Sequence, residues 1–315
     1  MAEPQFSILS KRFFLFLGLG VGVFLSLSLY GNWKAVSEAF KHFSYITLPL
    51  ILALAFMNYL SRFWRWELYL KRVEIYLTRK ESFYIFMSGL VMTVTPGKMG
   101  ELLKSYLLKK NHRVPLARSG PIVLAERFTD LLAVYFLTLL GSISFAYGNK
   151  ILGLGLIVLL MGLLPFLSPR FFKGILGLLK KFSWGRRLEA PLSEAFYTLH
   201  DLMGFRLLVL ASVLGLVAWF FECLAFQMVF IGLGVEIPLI KAVFIYAFST
   251  LAGALSMLPG GIGAAEGSMT SLLLLIRIPK ALATTATIII RICTVWFAVL
   301  LGYGFVKLYQ KQKKR

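Results

Sequence analysis

Across residues 242–276 the chain is apolar except at one point, where Leu258-Pro259-Gly260-Gly261-Ile262-Gly263-Ala264-Ala265-Glu266-Gly267 sets a proline, closely spaced glycines and a carboxylate in a row. Few features limit a fold more. Proline removes a backbone donor, glycine weakens a helix, and an ionised side chain at the centre of a bilayer costs about 2.5 to 3.5 kcal/mol on insertion scales. A segment built this way makes a poor spanning helix, so something other than spanning retains it.

A fainter copy, Thr95-Pro96-Gly97-Lys98-Met99-Gly100-Glu101, lies between the apolar runs 83–94 and 102–108. Each copy is followed at nearly the same distance by an arginine inside a long apolar segment, Arg127 after the first and Arg291 after the second. This reads as an internal duplication. The first run has about 12 residues, or about 18 Å of helix, against a hydrocarbon core of about 30 Å. It cannot cross, so the Pro-Gly turn predicts a re-entrant hairpin that returns to the side it entered from. Broken backbone at membrane depth survives only when buried in protein or lining a wet cavity.

The 315 residues are 58% hydrophobic and only 15% charged, which sets the chain apart from a soluble domain with its usual quarter of charged residues. It reads as an all-α integral membrane protein. The net charge of +20 does not imply nucleic acid, because the basic residues flank apolar segments, where anionic headgroups and membrane topology account for them. Cys223 and Cys293 each lie inside an apolar segment, so no disulfide framework is implied. His42, His112 and His200 fall in loops or surface helices, and Asp130 and Asp201 are the only aspartates. A metal- or nucleotide-dependent active site has little raw material here, and no ATP or redox cofactor is implied. The glycines at 261, 263 and 267 miss the dinucleotide-binding spacing and follow no strand; the phosphate-loop pattern ending in Gly-Lys-Ser/Thr is absent.

The remaining apolar runs predict about six full crossings: 13–30, taken as an uncleaved first helix, then 46–66, 121–147, 151–167, 207–231 and 282–305. The second run ends in Arg62-Phe63-Trp64-Arg65-Trp66, which reads as an anchor at the membrane interface. Residues 168–206 predict two amphipathic helices on the cytoplasmic surface, the first through Phe171, Phe172, Ile175, Leu178, Leu179 and Phe182, the second through Leu192, Phe196, Leu199 and Met203. With both termini cytoplasmic, the basic stretches 62–80, 98–118, 170–206 and 307–315 fall inside, and only Lys34, Lys41, Lys150, Lys241, Arg277 and Lys280 fall outside. That satisfies the positive-inside rule provided both hairpins are re-entrant. Residues 46–147 and 207–306 then form one unit, repeated with opposite polarity in a single polytopic domain and joined by the link 168–206. Inverted repeats built on interrupted helices place substrate near the bilayer midplane.

Candidate site residues follow from charge at depth. Arg291 lies about ten residues, or about 15 Å, into its helix. It is either a substrate-binding group or one half of a structural ion pair with Glu266 or Glu222, and both roles can hold together. Glu126 and Asp130 share a helix face with Arg127 between them, and like charges there call for cations such as Arg127, Lys98 or Lys104. The plainer reading is a charged cluster at a helix entrance. Glu101 and Glu266 follow the glycine turns, where they serve as helix caps; alternatively the free backbone N–H groups of such a turn face a phosphate.

Thr95 to Glu101 with Lys104, Glu126-Arg127-x-x-Asp130, Pro259-Gly260-Gly261-Ile262-Gly263-x-x-Glu266 and Arg291 together resemble the lysylphosphatidylglycerol synthase transmembrane family, the flippase-like UPF0104 proteins. In the family's fused members a membrane domain translocates an aminoacylated lipid made by a separate soluble aminoacyltransferase domain. No stretch of this chain resembles that soluble domain, so the resemblance implies lipid handling without synthase activity. It implies a membrane protein that moves a polar or anionic glyco- or phospholipid between leaflets of an archaeal or bacterial cytoplasmic membrane. The slot would be lined by Pro96, Gly97, Lys98, Gly100, Glu101, Lys104, Glu126, Arg127, Asp130, Glu222, Pro259, Gly260, Gly261, Gly263, Glu266 and Arg291. The alternative is a non-transporting scaffold whose basic cytoplasmic face holds a lipid- or glycan-modifying enzyme.

Overall fold

A computed structural model of the protein describes residues 18–95, 101–142, 153, 168–179 and 183–313. Residues 96–100, the end of the run 121–147, the run 151–167 apart from residue 153, and the first residues of the run 13–30 lie outside the described residues, and with them Pro96, Gly97, Lys98 and Gly100. All regular structure among the described residues is helical.

The chain opens with α1 (Gly18–Tyr30) and the short α2 (Trp33–Lys41), then enters α3 (Leu48–Arg72). This helix does not end at the Arg62 to Trp66 cluster, as the hydrophobic run suggested, but continues beyond it, so those arginines sit in mid-helix. It stops where Glu74 takes a left-handed conformation (φ 56°) and Ile75 N–H returns to the Leu70 carbonyl at 2.9 Å. A pair of short helices follows, α4 (Arg79–Gly89) and α5 (Leu103–His112). His112 at the end of α5 lies 3.0 Å from Glu81 at the start of α4, so the chain returns to the level at which it entered. The next helix, α6 (Leu116–Ser142), starts five residues earlier than the sequence suggested and takes Pro121 inside it. Arg127 therefore sits about 16 Å along the helix rather than in its opening turns.

Two link helices come next, α7 (Pro169–Leu179) and α8 (Ser183–Leu202). The second is no free surface helix: Phe196, Leu199 and Leu202 are buried, and α8 packs against α6 and α3. Beyond it, α9 (Phe205–Gly232) ends with the device seen on α3, Gly234 at φ 67° and Val235 N–H on the Phe230 carbonyl at 3.0 Å. A second short pair, α10 (Leu239–Leu255) and α11 (Ala264–Leu275), flanks the Pro259 turn, where Met257, Gly260, Gly261 and Gly263 all have positive φ. The last long helix is α12 (Lys280–Arg291), a π-helical turn at Ile292–Trp296, and α13 (Phe297–Lys313).

Three stretches, Tyr45–Arg72, Phe205–Gly232 and Lys280–Gln312, are long and apolar enough to cross a membrane. The 27-residue α6 has the length but carries Glu126, Arg127 and Asp130. On α9 the exposed side chains Val209, Leu210, Val213, Val217 and Phe220 recur at helical spacing, a face suited to lipid rather than water.

Helices α3 and α9 pack along each other at the centre, and the short pairs are gripped crosswise. α6, which follows the first pair, packs on α10 of the second; α13, which follows the second, packs on α4 of the first. One glycine makes each crossing possible. A Cβ on Gly141 would stand 2.7 Å from the Phe244 Cα, and one on Gly302 would stand 2.2 Å from the Val91 nitrogen. Small residues let membrane helices approach at backbone distance. Gly141→Leu and Gly302→Leu are therefore each expected to lower stability by about 1 to 3 kcal/mol, the usual cost of overpacking. Thermal unfolding in detergent measures it, with Gly304→Leu, whose added carbon meets nothing within 4 Å, unchanged.

Candidate functional site

Helix α3 places Asn58, Arg62, Arg65 and Tyr69 on one face, and every one of them is buried. Arg65 Nη2 donates to Asp130 Oδ1 at 2.6 Å, and its Nη1 donates to Thr129 Oγ1 at 3.2 Å, so α3 is pinned to α6 through two successive residues. Arg62 reaches Glu101 at 3.4 Å and Asp130 at 3.8 Å. From α6 itself Arg127 donates to Glu101 at 2.9 Å and forms an ion pair with Asp130 at 3.0 Å. Lys104 on α5 pairs with Glu126 and lies 3.7 Å from Glu101, its ammonium 4.7 Å from the Trp66 ring centre. Trp219 of α9 donates its indole N–H to Asp130 Oδ1 at 3.1 Å. Four cations and three carboxylates thus hold three helices and the returning half of the first hairpin in one register.

The second hairpin is fixed by fewer charges. Glu266 takes the Arg291 Nε–H at 2.6 Å on one oxygen and the Gly263 backbone N–H at 2.7 Å on the other. Arg291 Nη2 donates to the Gly260 carbonyl at 2.7 Å, which ties the left-handed turn to the last helix. The capping and ion-pair readings of Glu266 therefore both hold. The π-helical turn begins at the next residue, and a π-bulge inside an α-helix frequently marks a functional site.

Between the two groups lies a cavity of about 370 Å3. Arg62, Arg127, Asp130, Glu222 and Arg291 contribute charged groups to its lining, with Tyr246 donating to Glu222 at 2.6 Å. Much of the rest of the lining is apolar and includes Leu255, Met257 and Leu258 of the second turn, which are 68%, 65% and 45% exposed. A lining that joins charged groups to exposed apolar side chains suits a ligand that is charged at one end and greasy at the other.

Of the described residues singled out from the sequence, Arg127, Asp130, Glu222, Gly260, Gly261 and Arg291 meet at this cavity. Glu101, Lys104, Glu126 and Glu266 stand behind it as ion-pair supports, Pro259 opens the turn, and Gly263 supplies a donor. The reading of Glu126, Arg127 and Asp130 as a charged helix entrance is overturned, since Glu126 is 1% and Asp130 5% exposed. The interfacial reading of Arg62 and Arg65 is overturned too, at 5% and 0%; only Trp64 beside them, 51% exposed, fits an anchor. The missed signal was periodic: Asn58, Arg62, Arg65 and Tyr69 make a polar stripe at helical spacing in an apolar helix. Among the described residues no three His, Cys, Asp or Glu side chains cluster as a metal set would.

Long apolar helices around an internal charged cavity define a polytopic helical membrane protein. The model of the lysylphosphatidylglycerol synthase TM region matches residues 15–302. The chain belongs to that family. It is 30% identical over 230 residues to a UPF0104 membrane protein of Methanothermobacter thermautotrophicus, covering 67% of this chain and 68% of the relative. A second protein of that name from the same organism is 24% identical over 77% of this chain and 79% of the relative. A UPF0104 membrane protein of Pyrococcus horikoshii is 24% identical over 86% of this chain and 90% of the relative. No solved structure matches.

A buried pair resists the loss of one partner far more than the loss of both. Lys104→Met alone, leaving Glu126 uncompensated, is expected to cost about 3 to 5 kcal/mol, and the double variant Lys104→Met/Glu126→Gln to regain most of it. Thermal unfolding of the four proteins in one detergent closes the cycle.

Proposed function

We propose that the protein binds the polar or anionic headgroup of a membrane lipid in this cavity and moves it between leaflets while the acyl chains stay in the bilayer. The observation that carries this reading is three arginines, Arg62, Arg127 and Arg291, in the lining of one cavity that also includes the exposed apolar side chains Leu255, Met257 and Leu258. Guanidinium groups bind phosphate through paired hydrogen bonds and stay charged at every relevant pH. Arg127 is the most accessible of the three, its side chain 20% exposed.

The crosswise grip of α6 on α10 and of α13 on α4 supports two inverted repeats, since each unit closes over the other's short pair by the same contact. On this reading the two hairpins enter from opposite faces and both termini are cytoplasmic, as the distribution of lysine and arginine requires. Rocking of one repeat against the other would expose the cavity to each leaflet in turn.

Purified protein in liposomes, assayed with headgroup-labelled anionic phospholipids and glycolipids, is the direct test. Loss of a charge-assisted hydrogen bond removes about 1.5 to 3 kcal/mol, so Arg127→Gln is expected to slow translocation by about tenfold to a hundredfold. Arg170→Gln, on the exposed face of α7, leaves the rate unchanged. Equal rates for wild type, Arg127→Gln and empty vesicles across the lipid panel would overturn the proposal and leave the scaffold reading, in which only changes to α7 and α8 matter.

A further inference from the structure

Just before α3, Ser44 N–H donates to the Gly232 carbonyl at the end of α9 at 2.8 Å, and at mid-length Asn58 Nδ2 donates to the Ala218 carbonyl at 2.8 Å. The two central helices therefore run antiparallel. Asn58 and Ala218 stand 160 residues apart, the same interval as between Glu74 and Gly234, the left-handed residues that end α3 and α9. At that interval Tyr59 corresponds to Trp219 and Arg62 to Glu222, and all four line the cavity. A second match follows each short pair. Arg113 after α5 and Arg277 after α11 are left-handed, at φ 58° and 66°, and each is followed shortly by a proline, Pro115 and Pro279. Counted from these turns, Arg127, Leu131 and Val134 of α6 correspond to Arg291, Val295 and Ala298 of the last helix, and these six line the cavity too.

Corresponding positions of two halves thus line one cavity, with Arg127 the counterpart of Arg291. Their acids correspond as well. Arg127 donates to Glu101 at 2.9 Å and Arg291 to Glu266 at 2.6 Å, each acid close to the start of the returning helix of its own short pair. What differs is how far each arginine is committed. Arg291 spends Nε on Glu266 and Nη2 on the Gly260 carbonyl, and its side chain is 9% exposed. The Arg127 side chain is 20% exposed, and its Nε–H is buried with no hydrogen-bond partner among the described residues. We propose that the cavity is two equivalent half-sites for one anionic headgroup, with Arg127 its ligand in the arrangement described and Arg291 its ligand once the two halves have exchanged roles. The inference rests on the transport reading above.

A guanidinium grips phosphate through paired N–H groups. The Gly260 carbonyl holds Arg291 Nη2, so withdrawal of the Pro259 turn is what returns that nitrogen to the cavity. Matching halves packed antiparallel about a shared centre make this movement as one half rocks on the other. An anion on Arg127 and an anion on Arg291 are then alternatives, not simultaneous contacts, and the two cases differ in their arithmetic. Affinities of alternative sites add, so removing one leaves the other. Free energies of simultaneous contacts add, so the losses in affinity multiply.

A double-variant cycle on the full chain separates them. Binding of dihexanoyl phosphatidylglycerol in detergent is measured by isothermal titration for wild type, Arg127→Gln, Arg291→Gln and the double variant. Each single change is expected to weaken binding severalfold, and the double by more than the product of the two, about tenfold to a hundredfold in all. A double loss equal to the product or below it overturns the half-sites and leaves a single headgroup site standing. No binding by the wild type, to this probe or to soluble glycolipid headgroups, overturns the headgroup site and the half-sites with it. Translocation gives the opposite sign. In liposomes with labelled phosphatidylglycerol each headgroup meets the half-sites in succession, so either single variant is expected to slow transfer by about tenfold or more and the double by less than the product. A double loss at or above the product there overturns the proposal. Arg127→Lys and Arg291→Lys, which keep a cation beside Glu101 and Glu266 but lose the planar fork, carry the same cycle where a glutamine variant does not fold.

Discussion

A charge inside a molecule surrounded by lipid has nowhere to go for solvation except to another side chain, and that constraint governs this structure. Isolated, each of the buried acids would cost several kcal/mol. Together with Arg62, Arg65, Lys104, Arg127 and Arg291 most of them form ion-pair networks that join different helices. The networks also set register. Arg65 binds Asp130 and Thr129, and Trp219 binds the same Asp130 oxygen, so α3, α6 and α9 cannot slide without breaking buried hydrogen bonds.

Within that frame the short helices do what long ones cannot. The Pro259 turn places the Gly260 carbonyl on Arg291 and the Gly263 amide on Glu266. The glycines at 260, 261 and 263 adopt φ values that residues with a Cβ adopt only under strain. Gly141 and Gly302 serve a different need, the approach of one backbone to another. Proposed transport would draw on both features, because a stiff bundle of long helices leaves no room at its centre for a headgroup.

Much of the site was legible in the sequence because ionised residues in apolar runs are expensive and so rarely incidental. Glu101, Lys104, Glu126, Arg127, Asp130, Glu266 and Arg291 stood out on that ground, while the choice between Glu266 and Glu222 as ion-pair partner of Arg291 stayed open until the fold placed Glu266 beside it. Arg62 and Arg65 were misplaced because two arginines among three aromatic residues at the end of an apolar run have the composition of a membrane interface. Nothing local says that the helix continues. Its continuation depends on burial of Trp66, Tyr69 and Leu70 against α4, α8 and the start of α9, which no window of sequence contains.

By itself the sequence determined the class of protein, the breaks between the short helices, the glycine turn at Pro259 and most of the ionisable residues that a membrane does not tolerate without cause. Those follow from short-range physics: hydropathy, helix length and the backbone limits of proline and glycine. Only the tertiary structure decided which acid meets which base, that α3 supplies two buried arginines to the charged network, that α8 is packed rather than free, and that charged and apolar side chains line one cavity. Side chains from residue 59 to residue 298 meet there, and contacts between positions so far apart in the chain are fixed by packing, not by any local pattern.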